Sequence, residues 1–201
     1  MTPGGRAGGY RLGMSIKMRT FLLTFVLTLV ADLGLKEWVL HAIPYPTPRT
    51  GEITLIPDLF SLVHAKNPGA AFSAMRDFEG RMYVFAVFTV IAVVALGWAM
   101  RALRPEEKVQ PLAIGLMLAG VLGNACDRLR FQEVTDMFKL YAGFEPLRSW
   151  TMERFGTNIW PIFNIADVVL LVGVGIFILR YLFERDSTTA EVDPGQAPDV
   201  A

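Results

Sequence analysis

The stretch MYVFAVFTVIAVVALGWAM, residues 82–100, holds no charged side chain. A helix of about 20 such residues crosses the roughly 30 Å of a bilayer's hydrocarbon, so the stretch reads as a membrane span. Moving outward, Val109–Cys126 is equally free of charge, with Pro111 near its start, where a missing N–H costs least. Ile159–Leu179 contains a single charge, Asp167. Phe21–Leu40 is apolar in its first half and carries Asp32, Lys36 and Glu37 in its second. Lys17 and Arg19 precede it as they would a secretory leader. No small-x-small cleavage site follows, however, and Asp32 and Lys36 stand where a leader needs apolar or small residues. Four spans are predicted, at about 21–40, 82–100, 109–126 and 159–180.

The composition agrees with that reading. Of 201 residues, 53% are hydrophobic and 19% charged, with a mean hydropathy of +0.41, too apolar for an average soluble domain. Nineteen Lys+Arg balance nineteen Asp+Glu, which leaves no basic surface to steer nucleic acid. One cysteine, Cys126, excludes an intramolecular disulfide, and with His41 and His64 as the only histidines a Cys/His zinc site lacks ligands. No metal and no cofactor are expected. Cys126, on an apolar span with no histidine nearby, reads as packing, and the two histidines as solvent-facing or interfacial.

The expected fold is mainly α, a four-helix transmembrane bundle in one domain over 19–184. An extension at 1–18, Gly-rich and basic, and a tail at 185–201 read as disordered; Met14 and Met18 are alternative starts. Four spans put both termini on one side and the 41–81 and 127–158 loops on the other. Lys+Arg number nine on each side, but Arg101, Arg104 and Lys108 in a short connector, with Lys17 and Arg19, favour cytoplasmic termini. In the 41–81 loop, 52–56 and 60–65 alternate as two short strands of an extracytoplasmic platform, followed by the turn Asn67-Pro68-Gly69. The 127–158 loop is expected to supply a segment, 139–158, that moves over this face, with Tyr141, Trp150 and Trp160 as interfacial anchors.

Ionisable groups at membrane depth cost several kcal/mol on insertion scales, roughly 2.5–3.5 each, so each needs a reason. Asp32 and Lys36, spaced i, i+4 with the acid first, suit an ion pair that tethers span 1. Asn124 and Asp127 are spaced i, i+3 at the end of span 3, with Arg128 next; Asn164 and Asp167 repeat that spacing on span 4. Asp127 reads as structural, pairing with Arg128 or capping its helix. Two carboxylates meeting at the bilayer surface suggest acid/base chemistry, because like charges in a dry site cannot both ionise cheaply and one then stays protonated while the other activates water. Spacing leaves three candidates for that pair: Asp127, Asp136 and Asp167.

Five blocks in order, Asp32-x-x-x-Lys36, NPGAAFS at 67–73, GNACDR at 123–128, VTDMF at 134–138 and FNIAD at 163–167, make the chain resemble lipoprotein signal peptidase, or signal peptidase II, a bacterial membrane aspartyl endopeptidase. The resemblance runs from about Phe21 to Leu182. It implies that Asp136 and Asp167 are the catalytic pair and Asp127 a supporting acid. It implies that Asn67, Gly69, Asn124, Arg128 and Asn164 hold substrate backbone or orient the pair. Gly69 also has a local rationale, freedom for a positive φ after Asn67-Pro68. The implied reaction removes the signal peptide of a diacylglyceryl-modified prolipoprotein just before its lipidated cysteine. The implied setting is the bacterial inner membrane, with the active site at the extracytoplasmic face and membrane lipid and substrate as the partners of a monomer. Met137 departs from the family, which has an aromatic directly after the first catalytic aspartate, and altered packing is expected there. The competing class is a small transporter or proton relay through Asp32, Lys36, Asp136 and Asp167. Its weakness is that spans 2 and 3 carry no charge at successive depths.

Overall fold

The computed structural model describes residues 14–45, 51–69 and 78–189. The expectations for residues 1–13 and 190–201, and for Ala70–Ser73 of the NPGAAFS block, lie outside them. The elements run in the order α1 (Ile16–Ala42), β1 (Ile53–Ile56), β2 (Phe60–Asn67), α2 (Arg81–Ala102), α3 (Val109–Phe131), β3 (Val134–Leu140), α4 (Leu147–Phe155) and α5 (Ile165–Thr189). Among the described residues α1, α2 and α3 are long and apolar enough to cross a membrane.

Helix ends differ from the expected bounds for local reasons. Ser15 accepts a hydrogen bond from the Met18 amide and caps α1, so residues 16–18, expected in the disordered extension, are helical. Residues 185–189 likewise continue α5 rather than joining the tail. The fourth span was expected from 159, but helix starts only at Ile165. Pro161 has no N–H to offer a helix, and the neighbouring backbone is committed sideways to β3. The Trp160 amide donates to the Leu140 carbonyl at 2.9 Å, and the Met137 and Phe138 amides donate to the Phe163 carbonyl at 3.1 and 2.8 Å.

Helix α3 is the centre, touching α1, α5 and α2. Small residues allow the close approach that membrane helices use in place of a hydrophobic drive. A Cβ on Gly120 would lie 2.5 Å from the Ala166 carbonyl oxygen of α5, and one on Gly115 3.0 Å from the Phe21 carbonyl of α1. Met100, Ala113, Ile114 and Met117 fill the contact between α2 and α3. The outer faces of α1 and α2 leave Leu27, Val30, Tyr83, Phe88 and Trp98 exposed, as lipid-facing surfaces require.

The platform is an antiparallel sheet in the order β1-β2-β3, with Ala65 opposite Asp136 and Asn67 opposite Val134. The third strand comes from the 127–158 loop, where no strand was expected, and α4 is a helix in the same loop. Between Leu62 and Ala65 the β2–β3 register shifts, so alternation fails and residues 61–64 are all buried. That corrects the reading of His64: its ring is buried, 3.0 Å from the Ile43 carbonyl and 5.1 Å from the Tyr45 ring. His41 is exposed beside Glu37.

Candidate active site

Strand β3 and the start of α5 each deliver one carboxylate. Asp136 is buried on β3; its Oδ2 accepts from Asn67 Nδ2 at 3.0 Å and its Oδ1 from Asn164 Nδ2 at 2.7 Å. Asp167 stands in the first turn of α5. Its Oδ2 accepts from the Asn164 amide at 3.2 Å while Asn164 Oδ1 accepts from the Asp167 amide at 3.0 Å, a reciprocal capping box. Its Oδ1 accepts from Asn124 Nδ2 at 2.9 Å. The i, i+3 spacing of Asn164 and Asp167 thus serves the helix end and the site together.

Both carboxylates face one cavity of about 750 Å³, with Asn67, Gly69, Asn124 and Arg128 on its polar side and Ile159–Phe163 on its apolar side. Burial, and after it the negative charge of Asp167, pushes the Asp136 carboxyl up to about 7, against the hydrogen bonds from Asn67 and Asn164. Arg128 is held by its own turn, Nη1 donating to the Asn124 carbonyl at 3.4 Å, and its guanidinium lies 4.0 Å from the Phe85 ring centre of α2.

Behind the cavity lies a second cluster. Lys36 Nζ is 2.8 Å from Asp32 Oδ2 and 3.5 Å from Asp127 Oδ2, all three buried. Asp32 Oδ1 accepts from the Ala166 amide at 2.9 Å, tying α1 to the start of α5. Asp127 was expected to pair with Arg128 or to cap its helix and does neither; its Oδ2 accepts from the Thr135 amide at 2.8 Å and so pins the start of β3. A backbone hydrogen bond across a turn suits a short acid better than an ion pair with its own neighbour, whose guanidinium is drawn toward the cavity. Gly123 is where Asp32 enters α3: a Cβ there would collide with the Asp32 carboxylate.

The structure therefore gathers Asn67, Gly69, Asn124, Arg128, Asp136 and Asp167 on one cavity, sets Asn164 directly behind both acids, and puts Asp32, Lys36 and Asp127 one layer deeper. Sequence reading did not identify Thr135, whose carbonyl also accepts from Asn164 at 3.4 Å, or the wall Ile159–Phe163. The capping pattern Asn164-x-x-Asp167 was a readable signal for the hub role of Asn164; nothing local marks the wall.

A family profile described as Signal peptidase (SPase) II matches residues 24–183. The chain is 32% identical to the lipoprotein signal peptidase of Geobacter metallireducens over 83% of this chain and 92% of that one. It is 34% identical to that of Latilactobacillus sakei over 84% and 97%. A solved bacterial membrane enzyme, determined in meso at 1.9 Å, superposes with a TM-score of 0.64 at 26% identity, covering 82% of this chain and 94% of that one. With four-fifths of its length inside the profile, the chain belongs to the signal peptidase II family of membrane proteases.

Proposed function

We propose that the protein is an aspartic endopeptidase that removes the signal peptide from diacylglyceryl-modified prolipoproteins, cleaving just before the lipidated cysteine. The observation that carries this reading is the pair of carboxylates, Asp136 and Asp167, brought from β3 and α5 to one cavity and linked through Asn164. In this reading α1, α2, α3 and α5 cross the membrane, the termini are cytoplasmic, and the cavity opens at the outer surface, where the scissile bond of a lipid-anchored substrate lies.

Asp136, whose carboxyl holds its proton to about pH 7, is the acid. It hydrogen-bonds the scissile carbonyl oxygen and passes its proton to that oxygen as the water attacks. Asp167, whose carboxylate accepts from the Asn164 amide and from Asn124 Nδ2, is the base and takes a proton from the attacking water. The tetrahedral intermediate collapses as Asp167 returns that proton to the leaving nitrogen and the new hydroxyl returns one to Asp136, leaving acid and amine. Arg128 and Asn67 stand where they can hold the substrate backbone.

The test is cleavage of a diacylglyceryl prolipoprotein by detergent-purified protein with EDTA throughout. Asp136→Asn and Asp167→Asn are each expected to lower turnover by at least about a thousandfold, of the size a general acid or base supplies, while circular dichroism stays wild type. Appreciable turnover in either folded variant removes that residue from the pair; activity lost with EDTA alone overturns the metal-independent mechanism.

A further inference from the structure

The deeper cluster touches the cavity at one atom. Lys36 Nζ, besides its two acids, donates to Asn124 Oδ1 at 3.0 Å. The same oxygen accepts from Asn164 Nδ2 at 3.1 Å, so both of its lone pairs are filled. That leaves Nδ2 of Asn124 for Asp167 Oδ1, at 2.9 Å. An asparagine amide fits its pocket either way round, and its two ends are chemically opposite. An ammonium group only donates, so it tolerates only the oxygen end. Turned over, the amide would set Nδ2 against the buried ammonium and Oδ1 against the Asp167 carboxylate, two repulsive contacts in place of two hydrogen bonds.

We infer that Lys36 is a positioning residue for catalysis: it fixes the face of the Asn124 amide so that a hydrogen-bond donor, not an acceptor, is presented to Asp167. The inference rests on the reading of Asp136 and Asp167 as the catalytic pair. It assigns the buried ion pair of α1 a task beyond tethering. The charged groups around this contact are Asp32 on α1, Asp127 and Arg128 on α3, and Asp136 on β3. None of the acids takes the place of Lys36: Asp32 and Asp127 flank it, and the Asp136 oxygens are bonded to Asn67 and Asn164. Arg128 lies on the cavity side, bonded to the Asn124 carbonyl rather than to its side chain.

The test is a double-mutant cycle on cleavage of the diacylglyceryl prolipoprotein, with thermal unfolding in detergent run beside it. Lys36 is removed together with its nearer acid, as Asp32→Asn/Lys36→Met, so that Asp127, which keeps its hydrogen bond from the Thr135 amide, is the one carboxylate of the cluster left without the cation. The other arm is Asn124→Ala, and the third protein carries all three changes. Each arm is expected to lower kcat on the order of tenfold with KM unchanged, the usual scale for one charge-assisted hydrogen bond, and the combined protein to lose no more than Asn124→Ala alone. A purely structural tether predicts instead that the losses multiply, or that the Asp32/Lys36 arm lowers the unfolding temperature with wild-type kcat; either result overturns the inference. Should that arm not fold, Lys36→Arg reads the same link. Its bulkier fork no longer matches the Asn124 oxygen, and the expected fall in kcat must vanish in the Asn124→Ala background. Asp136→Asn and Asp167→Asn serve as controls: if they stay active the dyad reading fails, whereas if they are inactive and the losses multiply, only the role of Lys36 fails.

Discussion

The deep cluster and the cavity pair are built from the same residue type with opposite accounting of charge. In the deep cluster Asp32 and Asp127 flank Lys36, and their other contacts are backbone amides, Ala166 for Asp32 and Thr135 for Asp127. At the cavity Asp136 and Asp167 receive neutral amide donors from Asn67, Asn124 and Asn164, and their nearest charged neighbours include each other. Compensated acids hold α1, α3, β3 and α5 together. At the cavity no cation among the described residues is paired with Asp136, whose carboxyl is pushed up, and the proposed acid role draws on that proton. The Asn124 amide, with one end on Lys36 and the other on Asp167, joins the two regions.

Removing compensation from the first region is the sharpest way to break the contrast. Lys36→Met leaves two buried carboxylates without a cation and is expected to destabilise by roughly 3–5 kcal/mol, the scale for a broken buried pair, read as a lowered unfolding temperature in detergent. Adding Asp32→Asn should restore much of that loss; if it restores none, the cluster is not held by charge balance.

The second region is read by pH. Asp136 keeps its proton to about pH 7 in the folded protein, against 3.8 for the ordinary carboxyl. Between those values the unfolded chain has released the proton and the folded chain has not, so stability falls as pH rises from about 4 to 7 and levels off above. The fall is on the order of 4 kcal/mol. Asp136→Asn should flatten that slope, and a slope equal to wild type would show that burial of this carboxyl is not what the titration reports.

Two smaller effects test the frame around the comparison. Met137 is fully buried against Val39, Ile43 and Leu62, where it joins the platform to α1. Met137→Ala is expected to cost about 2–4 kcal/mol as a core cavity, visible as a lower unfolding temperature, and an unchanged value would mean that the platform does not depend on this contact. At the opposite end Lys17 Nζ donates to the Met100 and Leu103 carbonyls at 3.2 and 2.8 Å and closes the end of α2. Lys17→Met should cost only about 0.3–1 kcal/mol, the usual worth of a cation at a helix C-terminus, with cleavage unchanged. A larger loss would mean that the start of α1 is part of the core.

Much was legible without a fold. The apolar runs located α1, α2 and α3 because the membrane demands continuous hydrophobicity, and that signal is local. The i, i+4 pair Asp32/Lys36 is real at 2.8 Å because helix geometry alone sets that distance. Asn67, Asn124, Arg128, Asp136 and Asp167 were all named and do share one cavity, although spacing by itself kept Asp127 among the candidates for the pair while favouring a structural role for it. What spacing could not reveal was who faces whom. Asp127 was expected on Arg128 and lies on Lys36 and Thr135; His64 was expected at the surface and is buried by a register shift in β2; β3 and α4 were hidden in a loop.

By itself the sequence determined the helices and the inventory of polar groups, since both follow from transfer free energies and periodicities that act within one segment. Only the tertiary structure decided which acids are compensated. That depends on α1 lying against α3 deeply enough for Asp32 to occupy the space Gly123 leaves, and on β2 and β3 pairing so that Asn67 meets Asp136. Hydrogen bonds and ion pairs act over about 3 Å, and residues 36, 124, 136 and 167 come within that reach only through packing.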